Sequence, residues 1–297
     1  MPPVVVLAYL VCALVWGTTW YVIRVCTGPG GYPTLEAAAL RFALAAALLA
    51  PVVLALRLGP WPRGRRTWAW LGVAGLLDAV SYGLVYLGEE RVPGGLAAVL
   101  FATQPLMLAA LVGATGLERV KRTDLSGAVV ALIGVSVIFA DRWQVSAHQA
   151  VGLVMILAAV AASSSYSFIL KREGQGVHPL VSTLIFLAVT AIGLTAAVVV
   201  RGPRALPWPP PAAPTWALLY LAVMGSIVTF AAWLWLLQRL SLMASSTLVF
   251  VLPVVALVVD AVWEDAIRVG PRAYLGTAVV MLGLGVALYA GRDRRLG

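Results

Sequence analysis

The chain has 297 residues, of which 62% are hydrophobic and only 11% are charged, and its formal net charge at pH 7 is +9. Because soluble domains carry roughly 25% charged residues, this composition excludes a water-soluble globular protein. The cations are scattered over short segments and form no patch, which argues against a nucleic-acid partner and favours contact with anionic lipid headgroups.

Ten mostly apolar stretches approach the roughly 20 residues that a helix needs to cross a bilayer. We number them spans 1 to 10, and they cover 4–24, 34–57, 67–88, 92–116, 124–140, 149–170, 179–200, 214–238, 242–263 and 271–290. Span 5 is short, at the lower limit for crossing. Because lipid offers the backbone no hydrogen-bond partners, each span is predicted to be helical, and the predicted fold is an all-α integral membrane protein with ten transmembrane helices.

Spans 6 to 10 repeat spans 1 to 5 at a nearly constant offset. Pro33 and Pro179 lie 146 residues apart, and Pro105 and Pro253 lie 148 apart. Since each half has an odd number of crossings, the second half enters the membrane inverted, which is a common design of transporters. The sequence thus predicts two inverted five-helix repeats around a central cavity, at 1–141 and 149–291, and a basic cytoplasmic tail at 292–297.

The cations also predict the orientation of the chain. Counted by loop and terminus, thirteen lysines and arginines fall on one side and seven on the other, and Arg41 is left within span 2. Loops rich in positive charge stay in the cytoplasm. We therefore predict a multi-pass protein of a bacterial-type inner membrane with both termini inside the cell.

Aromatic and polar side chains share one face in several spans, at matching places in the two halves. These faces carry Trp16, Thr19 and Trp20 in span 1, Asp78, Ser81, Tyr82, Tyr86 and Glu89 in span 3, Phe101 and Gln104 in span 4, Ser163, Tyr166 and Ser167 in span 6, and Ser226, Thr229 and Phe230 in span 8. In span 3 the spacing forms one continuous helical stripe. Polar side chains at membrane depth must face protein or water, so these faces are predicted to surround a cavity.

Such faces suit a substrate with an aromatic or apolar body and a polar end, because rings stack on rings and attract cations. The residues expected to bind substrate are Trp16, Thr19, Trp20, Asp78, Ser81, Tyr82, Tyr86, Phe101, Gln104, Ser163, Tyr166, Thr229 and Phe230. The alternative is helix packing through small residues and interhelical hydrogen bonds, which we prefer for Thr18, Ser164 and Ser165.

Pro105 and Pro253 fall in the apolar runs of spans 4 and 9, where each removes a backbone hydrogen bond. Paired interruptions of this kind mark the moving or binding region of a transporter, so we expect the two prolines to act as hinges. A static kink that only serves packing is the alternative.

Two charged side chains lie at membrane depth, where an ionised group costs about 3 kcal/mol or more unless it is paired or hydrated. Asp78 is expected either to hold a substrate ammonium group, to carry a proton, or to serve packing. Arg41 is expected to tie span 2 to carbonyls or a carboxylate of a neighbour, and binding a substrate carboxylate is the alternative. Glu118 is expected to bond loop backbone or nearby basic residues.

Other classes of site have little support. His148 and His178 have no Cys, Asp or Glu at ligand spacing, so no metal is expected. The chain lacks a phosphate-binding glycine loop, and no cofactor is expected. The spans contain neither a histidine nor paired carboxylates, which argues against a membrane-embedded enzyme.

Several short motifs occur in a recognisable order. They are Trp16-Gly17-Thr18-Thr19, Leu40-Arg41-Phe42, the run from Leu87 to Ala97, Gln104-Pro105, and the glutamates Glu118 and Glu264 at the ends of spans 4 and 9. In these motifs the chain resembles the drug/metabolite transporter superfamily and its EamA-type exporters over nearly its full length. The resemblance implies a ten-helix, pseudo-two-fold fold with a cavity lined mainly by helices 1, 3, 4, 6, 8 and 9. It also implies export of amino acids or related metabolites, since members include an aromatic amino acid exporter.

We therefore expect an exporter of amino acids, aromatic or otherwise amphipathic, and of related small metabolites, which works by alternating access. Multidrug or cation efflux, a nucleotide-sugar-type carrier, and a membrane-embedded protein that is not a transporter are the alternatives. The small multidrug pumps of the superfamily use a membrane-embedded glutamate in their first helix, and span 1 has none. The expected partners are a small-molecule substrate and the lipid bilayer, and action as a monomer is compatible with this interpretation. The exact substrate, the direction of net flux, proton coupling and the oligomeric state are left open by the sequence.

Overall fold

The computed structural model of the protein describes residues 2–92, 94–138, 147–263 and 271–289. The regular elements within these ranges are all helical. In chain order they are α1 (Pro3–Thr27), α2 (Thr34–Ala55), α3 (Arg65–Glu89), α4 (Gly94–Phe101), α5 (Gln104–Thr115), α6 (Arg122–Ile138), α7 (Ala147–Glu173), α8 (Pro179–Arg201), α9 (Ala212–Ala222), a π-helical segment (Val223–Val228), α10 (Thr229–Leu237), α11 (Leu242–Ser246), α12 (Leu248–Trp263) and α13 (Pro271–Tyr289). The predicted tail at 292–297 and Glu264 lie outside the described residues.

Every predicted span corresponds to one helix or to one interrupted helix. Span 4 consists of α4 and α5, span 9 of α11 and α12, and span 8 of α9, the π segment and α10. Eight helical stretches in the described ranges are long and apolar enough to cross a membrane. Two others are shorter: α6 has 17 residues, and the apolar part of α13 is Leu275–Ala287. The chain is thus an all-helical, multi-pass membrane protein.

The interruptions in spans 4 and 9 differ from each other. In span 4 the helix ends at Phe101 and restarts at Gln104, so that Pro105 occupies the first turn of α5, where a missing N–H costs nothing. In span 9 Pro253 lies inside α12, and the break between α11 and α12 falls earlier, at Thr247. The hydroxyls of Ser245, Ser246 and Thr247 donate to backbone carbonyls in the preceding turn, which competes with regular helix bonding there. The hinge role of the two prolines stays a prediction.

Helix packing places α1, α3, α7 and the interrupted helices of spans 4, 8 and 9 around the centre of the molecule. α1 contacts α12 and the α9–α10 region, and α7 contacts α3, α4 and α5. α2 packs against α8 on the periphery, and α6 packs against α13. The last pair is held at close range by glycines: a Cβ added to Gly283 would lie 2.4 Å from the backbone nitrogen of Ala131. Small residues allow such close approach of membrane helices.

Candidate functional site

A cavity of about 90 Å³ lies between the central helices. Its lining comes from α1, α3, α4, α5, α7, α10, α11 and α12. The lining residues are Trp16, Thr19, Trp20, Ile23, Ser81, Tyr82, Val85, Phe101, Gln104, Leu108, Ser163, Tyr166, Ser167, Trp233, Leu242, Ser245, Ser246, Leu248, Val249 and Leu252. Among these described residues there is no charged side chain.

Nine of the thirteen residues expected to bind substrate line this cavity. They are Trp16, Thr19, Trp20, Ser81, Tyr82, Phe101, Gln104, Ser163 and Tyr166. The stripe on α3 and the matching faces of α1 and α7 therefore converge on one space. Thr18, Ser164 and Ser165, for which we preferred packing, donate to carbonyls of their own helices and do not belong to the lining.

The other four candidates are buried behind the cavity wall. Phe230 packs against Trp16, with ring centroids 5.4 Å apart, and Thr229 donates its hydroxyl to the carbonyl of Met224. Asp78 and Tyr86 are bonded to residues of neighbouring helices and are 0% and 1% exposed. The structure thus separates these four residues from the space itself.

Aromatic rings form two parts of the wall. Trp16 and Tyr166 both pack edge-on against Trp233 at centroid distances of 6.0 Å, and Trp20 meets Phe101 edge-on at 5.5 Å. Edge-to-face contacts between rings stabilise such an arrangement beyond the burial of area. The rings therefore form a stable, apolar surface with the geometry to stack a flat or apolar ligand.

The polar part of the wall is a chain of hydrogen bonds. Gln104 donates Nε2–H to Ser163 Oγ at 2.9 Å, and Ser163 Oγ lies 3.1 Å from the hydroxyl of Tyr166. Ser81 donates to the carbonyl of Ala159, and Ser167 to that of Ser163. Hydroxyls keep free lone pairs after donating, so this wall can accept further hydrogen bonds from a ligand or water.

A buried arginine supports the wall from behind. Arg41, which is 0% exposed, donates to Ser226 Oγ at 2.9 Å and to the carbonyl of Gly225 at 3.0 Å, and its Nη1 lies 3.5 Å from the hydroxyl of Tyr86. The expectation that Arg41 ties span 2 to a neighbour's carbonyl is confirmed. The same Gly225 carbonyl accepts the indole N–H of Trp16 at 3.2 Å. Gly225 belongs to the π segment, whose wider turns change the carbonyl bonding pattern, and such segments are frequent at functional sites.

Eleven lining residues were not among the thirteen residues expected to bind substrate, although Ser167 is on a face that was predicted to surround the cavity. They are Ile23, Val85, Leu108, Ser167, Trp233, Leu242, Ser245, Ser246, Leu248, Val249 and Leu252. Trp233 lies four residues after Thr229, so extending the stripe of span 8 by one turn would have included it. Ser245 and Ser246 lie in the first turns of span 9, next to the break between α11 and α12, and the sequence does not predict this break.

Glu118 anchors the segment that begins span 9. Both of its carboxylate oxygens accept the backbone N–H of Leu242, at 2.8 and 2.9 Å, and Lys171 Nζ lies 4.0 Å from Oε1. Lys171 in turn donates to the carbonyls of Leu237 and Leu240. The expectation that Glu118 contacts a basic residue is confirmed, and the backbone that it bonds is the first residue of α11, Leu242, which lines the cavity.

Glu118→Ala is expected to lower the free energy of unfolding by about 1 to 2 kcal/mol, because it leaves the N–H of Leu242 without its acceptor. Glu173→Ala is the matched control, since its partner Arg66 has 67% of its side chain exposed and such pairs contribute at most about 1 kcal/mol. Thermal unfolding of the purified protein in detergent measures both variants. Equal effects at the two glutamates would contradict the anchoring role of Glu118.

Comparison with known proteins places the chain in a family. The model of the EamA-like transporter family matches the chain twice, at residues 3–140 and 150–289. It is 28% identical over 291 residues to a "Probable terminal-alkyne amino-acid exporter" of Streptantibioticus cattleyicolor, with 93% of this chain and 91% of the relative covered. It is also 28% identical over 307 residues to a "Probable amino-acid metabolite efflux pump" of Escherichia coli strain K12, with 98% and 96% covered.

Two further comparisons agree with this placement. The chain is 29% identical over 246 residues to the "Uncharacterized inner membrane transporter YedA" of Escherichia coli strain K12, with 82% of this chain and 77% of the relative covered. A crystal structure of another protein matches it with a TM-score of 0.77 at 20% identity over 98% of each chain, which shows a common fold. The whole of this chain, with its apolar helices and central cavity, thus belongs to the EamA-like transporter family.

Proposed function

We propose that this protein exports amino acids, aromatic or otherwise amphipathic, and related small metabolites across a bacterial-type inner membrane. The observation that carries the proposal is the central cavity, which combines an aromatic wall with a hydroxyl and amide wall. Two relatives named for export of an amino acid or an amino-acid metabolite support the same class of solute.

The lining favours a solute whose charges sum to zero. An aromatic or aliphatic body can stack on Trp16, Trp20 and Trp233, and the hydroxyls near Ser163 can bond to the polar end. A doubly negative solute such as a nucleotide sugar calls for arginine or lysine contacts, and the described lining offers none. A zwitterionic amino acid or a neutral amphipathic metabolite fits this wall better.

The transport cycle that we infer is alternating access of two inverted halves, at 1–141 and 149–291, with both termini in the cytoplasm. The helix contacts support it, because they are paired between the halves: span 1 packs on spans 8 and 9, and span 6 packs on spans 3 and 4. Span 2 packs on span 7, and span 5 on span 10, as an exchange of the halves requires. Since the present cavity is small for an aromatic amino acid, binding one requires the central helices to separate.

Counterflow in proteoliposomes tests the proposal. Vesicles that hold the purified protein are loaded with unlabelled aromatic, branched or small polar amino acids, and uptake of labelled amino acid is followed. We expect saturable exchange, fastest with the aromatic set. Vesicles with folded protein that exchange no amino acid would contradict the assignment.

Trp20→Leu is expected to weaken the apparent affinity for the aromatic solutes about ten-fold, because it removes one ring contact worth about 1 kcal/mol together with part of the stacking surface. Trp216→Leu is the matched control, as Trp216 is 72% exposed and does not line the cavity. The comparison uses the half-saturation concentration in the counterflow assay. An equal loss in both variants would show that Trp20 does not act through the cavity.

A further inference from the structure

Several arginines meet at one end of the helix bundle. Segment 56–66, which joins α2 to α3, holds four arginines and no acidic residue. Arg66 Nη2 lies 2.9 Å from Glu173 Oε1 at the end of α7, and Arg172 Nε lies 3.4 Å from the same oxygen. The sequence alone predicts no patch of cations, but the packing of α7 on α3 creates one here. We call this patch the basic surface, and it consists of Arg57, Arg63, Arg65, Arg66 and Arg172.

The segment that carries most of these arginines is held in a fixed place. The carbonyl of Pro60 accepts the backbone N–H of His178 at 2.9 Å, at the start of α8. The carbonyl of Pro62 accepts the indole N–H of Trp68 at 3.2 Å, and the ring of Trp61 stacks on that of Trp68 with centroids 6.2 Å apart. A ligand therefore meets an ordered surface and needs to order little of the chain when it binds.

Most of this positive charge has no partner within the protein. Arg57, Arg63 and Arg65 are exposed, and their side chains make no hydrogen bond, ion pair or ring contact with any residue that the structure describes. Arg66 and Arg172 share one carboxylate, and 67% and 51% of their side chains stay exposed. Guanidinium groups bind phosphate through two parallel N–H bonds, so this surface suits a ligand that carries a phosphate group.

The border of the basic surface is apolar. Trp61, Trp68 and Trp70 are 38%, 44% and 40% exposed, and Leu54 and Leu56 near the end of α2 are 63% and 64% exposed. In a membrane protein tryptophans cluster at the level of the lipid headgroups, and exposed leucines at a helix end beside them contact acyl chains. The same region thus offers contacts to an anionic head and to an apolar tail.

We propose that the basic surface binds the phosphodiester group of an anionic phospholipid, whose acyl chains cover Leu54 and Leu56. Charge complementarity attracts the headgroup, because each arginine near a negative lipid surface contributes to binding. The apolar border favours a lipid over free phosphate, since a small soluble anion buries no apolar surface against tryptophan and leucine. A lipid bound here contacts the ends of α2, α3 and α7 at the perimeter of the bundle.

Lipid binding to the purified full-length protein tests the proposal without any solute, so the test is independent of the proposed function. The protein in detergent is titrated with phosphatidylglycerol, and native mass spectrometry measures the fraction with bound lipid. The test variant combines Arg57→Gln, Arg63→Gln and Arg65→Gln. Each arginine beside anionic lipid contributes about five-fold to the affinity, so we expect this variant to bind on the order of 100-fold more weakly.

A second triple variant removes the same charge away from the basic surface and is the matched control. It combines Arg122→Gln, Arg201→Gln and Arg204→Gln, all at exposed positions. Arg201 ends α8, at the opposite end from His178, and the N–H of Arg204 donates to Glu36 in the first turn of α2, at the opposite end from Arg57. Because distant exposed charges are screened, we expect an affinity within about three-fold of the wild type. Equal weakening in both triple variants would show general charge attraction and overturn the site.

Two further measurements use the wild type alone, so they decide on the proposal even when a variant fails to fold. Phosphatidylcholine with the same acyl chains, whose headgroup has no net charge, should bind more weakly by about ten-fold or more. Glycerol 3-phosphate, a soluble phosphate without acyl chains, should not displace phosphatidylglycerol at equal concentration. Equal binding of the two lipids, or displacement by the soluble phosphate, would overturn the proposal.

Discussion

Arg41→Ala is expected to lower the free energy of unfolding by at least about 3 kcal/mol and to abolish transport. The substitution leaves the Gly225 carbonyl, Ser226 and Tyr86 without their buried donor. It also removes the guanidinium from the face of the Tyr82 ring, where the Cζ atom lies 4.8 Å from the ring centroid, and opens a cavity in a fully buried position. Thermal unfolding in detergent and counterflow in proteoliposomes measure the two effects.

The loss of transport follows from the shared carbonyl of the π segment. Arg41 and Trp16 both donate to Gly225 O. The carbonyl of Gly225 therefore links the guanidinium of Arg41 to the indole of Trp16, which lines the cavity. A Cβ at Gly225 would lie 3.1 Å from Arg41 Nη2, which shows how closely the segment is built around the guanidinium. Without Arg41 the Gly225 carbonyl loses one of its two side-chain donors, and we expect Trp16, the other donor, to lose its position.

Arg239→Ala is the matched control for Arg41. Arg239 also covers an aromatic ring, with Cζ 3.8 Å from the centroid of Trp235, and also donates to a backbone carbonyl, but it is exposed. An exposed contact of this kind contributes about 1 kcal/mol or less. If the two alanine variants lower the free energy of unfolding by the same amount, the buried contacts of Arg41 do not stabilise the structure more than an exposed contact does.

Gly283→Leu is expected to destabilise the protein by about 3 kcal/mol, because α6 and α13 cannot keep their present distance. A Cβ at Gly283 would lie 2.4 Å from the nitrogen of Ala131 and 2.6 Å from the carbonyl oxygen of Gly127. Both are backbone atoms, so relief requires the helices to separate. Thermal unfolding in detergent provides the measurement.

Gly285→Leu is the control on the same helix, two residues further along. No atom lies within 4 Å of a Cβ added there, so a leucine meets open space and suits a lipid-facing surface. We expect a change below about 0.5 kcal/mol. A comparable loss in both variants would show that the close packing of α6 on α13 does not decide stability.

The positions of the helices could be predicted from the sequence because the bilayer sets their length and composition. The polar and aromatic stripe of α3 could also be predicted, since polar side chains in an apolar span face the protein interior or a water-filled cavity. Ser81 and Tyr82 of this stripe line the cavity as a result. Asp78 shares the stripe but bonds to Thr190 of α8, because the angular position of a side chain on its helix does not tell which neighbour it meets.

The interruptions of spans 8 and 9 could not be predicted, for a different reason. The π segment carries no sequence signature, and its carbonyl at Gly225 is held by Arg41, which is 184 residues away in the chain. The break at Thr247 depends on hydroxyl bonds of Ser245 and Ser246 that other serines form without interrupting a helix, as Ser164 does in α7. Pro253 does not mark the break, because a proline can lie within a continuous membrane helix.

Substrate protection of a cysteine placed in the cavity tests most directly whether this cavity carries the solute. The two native thiols, Cys12 and Cys26, are buried and are expected not to react with the reagent. Ser245→Cys therefore introduces one reactive thiol at a lining position. We expect a small, charged methanethiosulfonate reagent to inhibit counterflow by this variant, and saturating transported amino acid to slow the modification several-fold. Ser164→Cys, equally buried but outside the lining, should stay unmodified. Modification of Ser245→Cys at the same rate with and without substrate, or equal modification of both variants, would contradict the account.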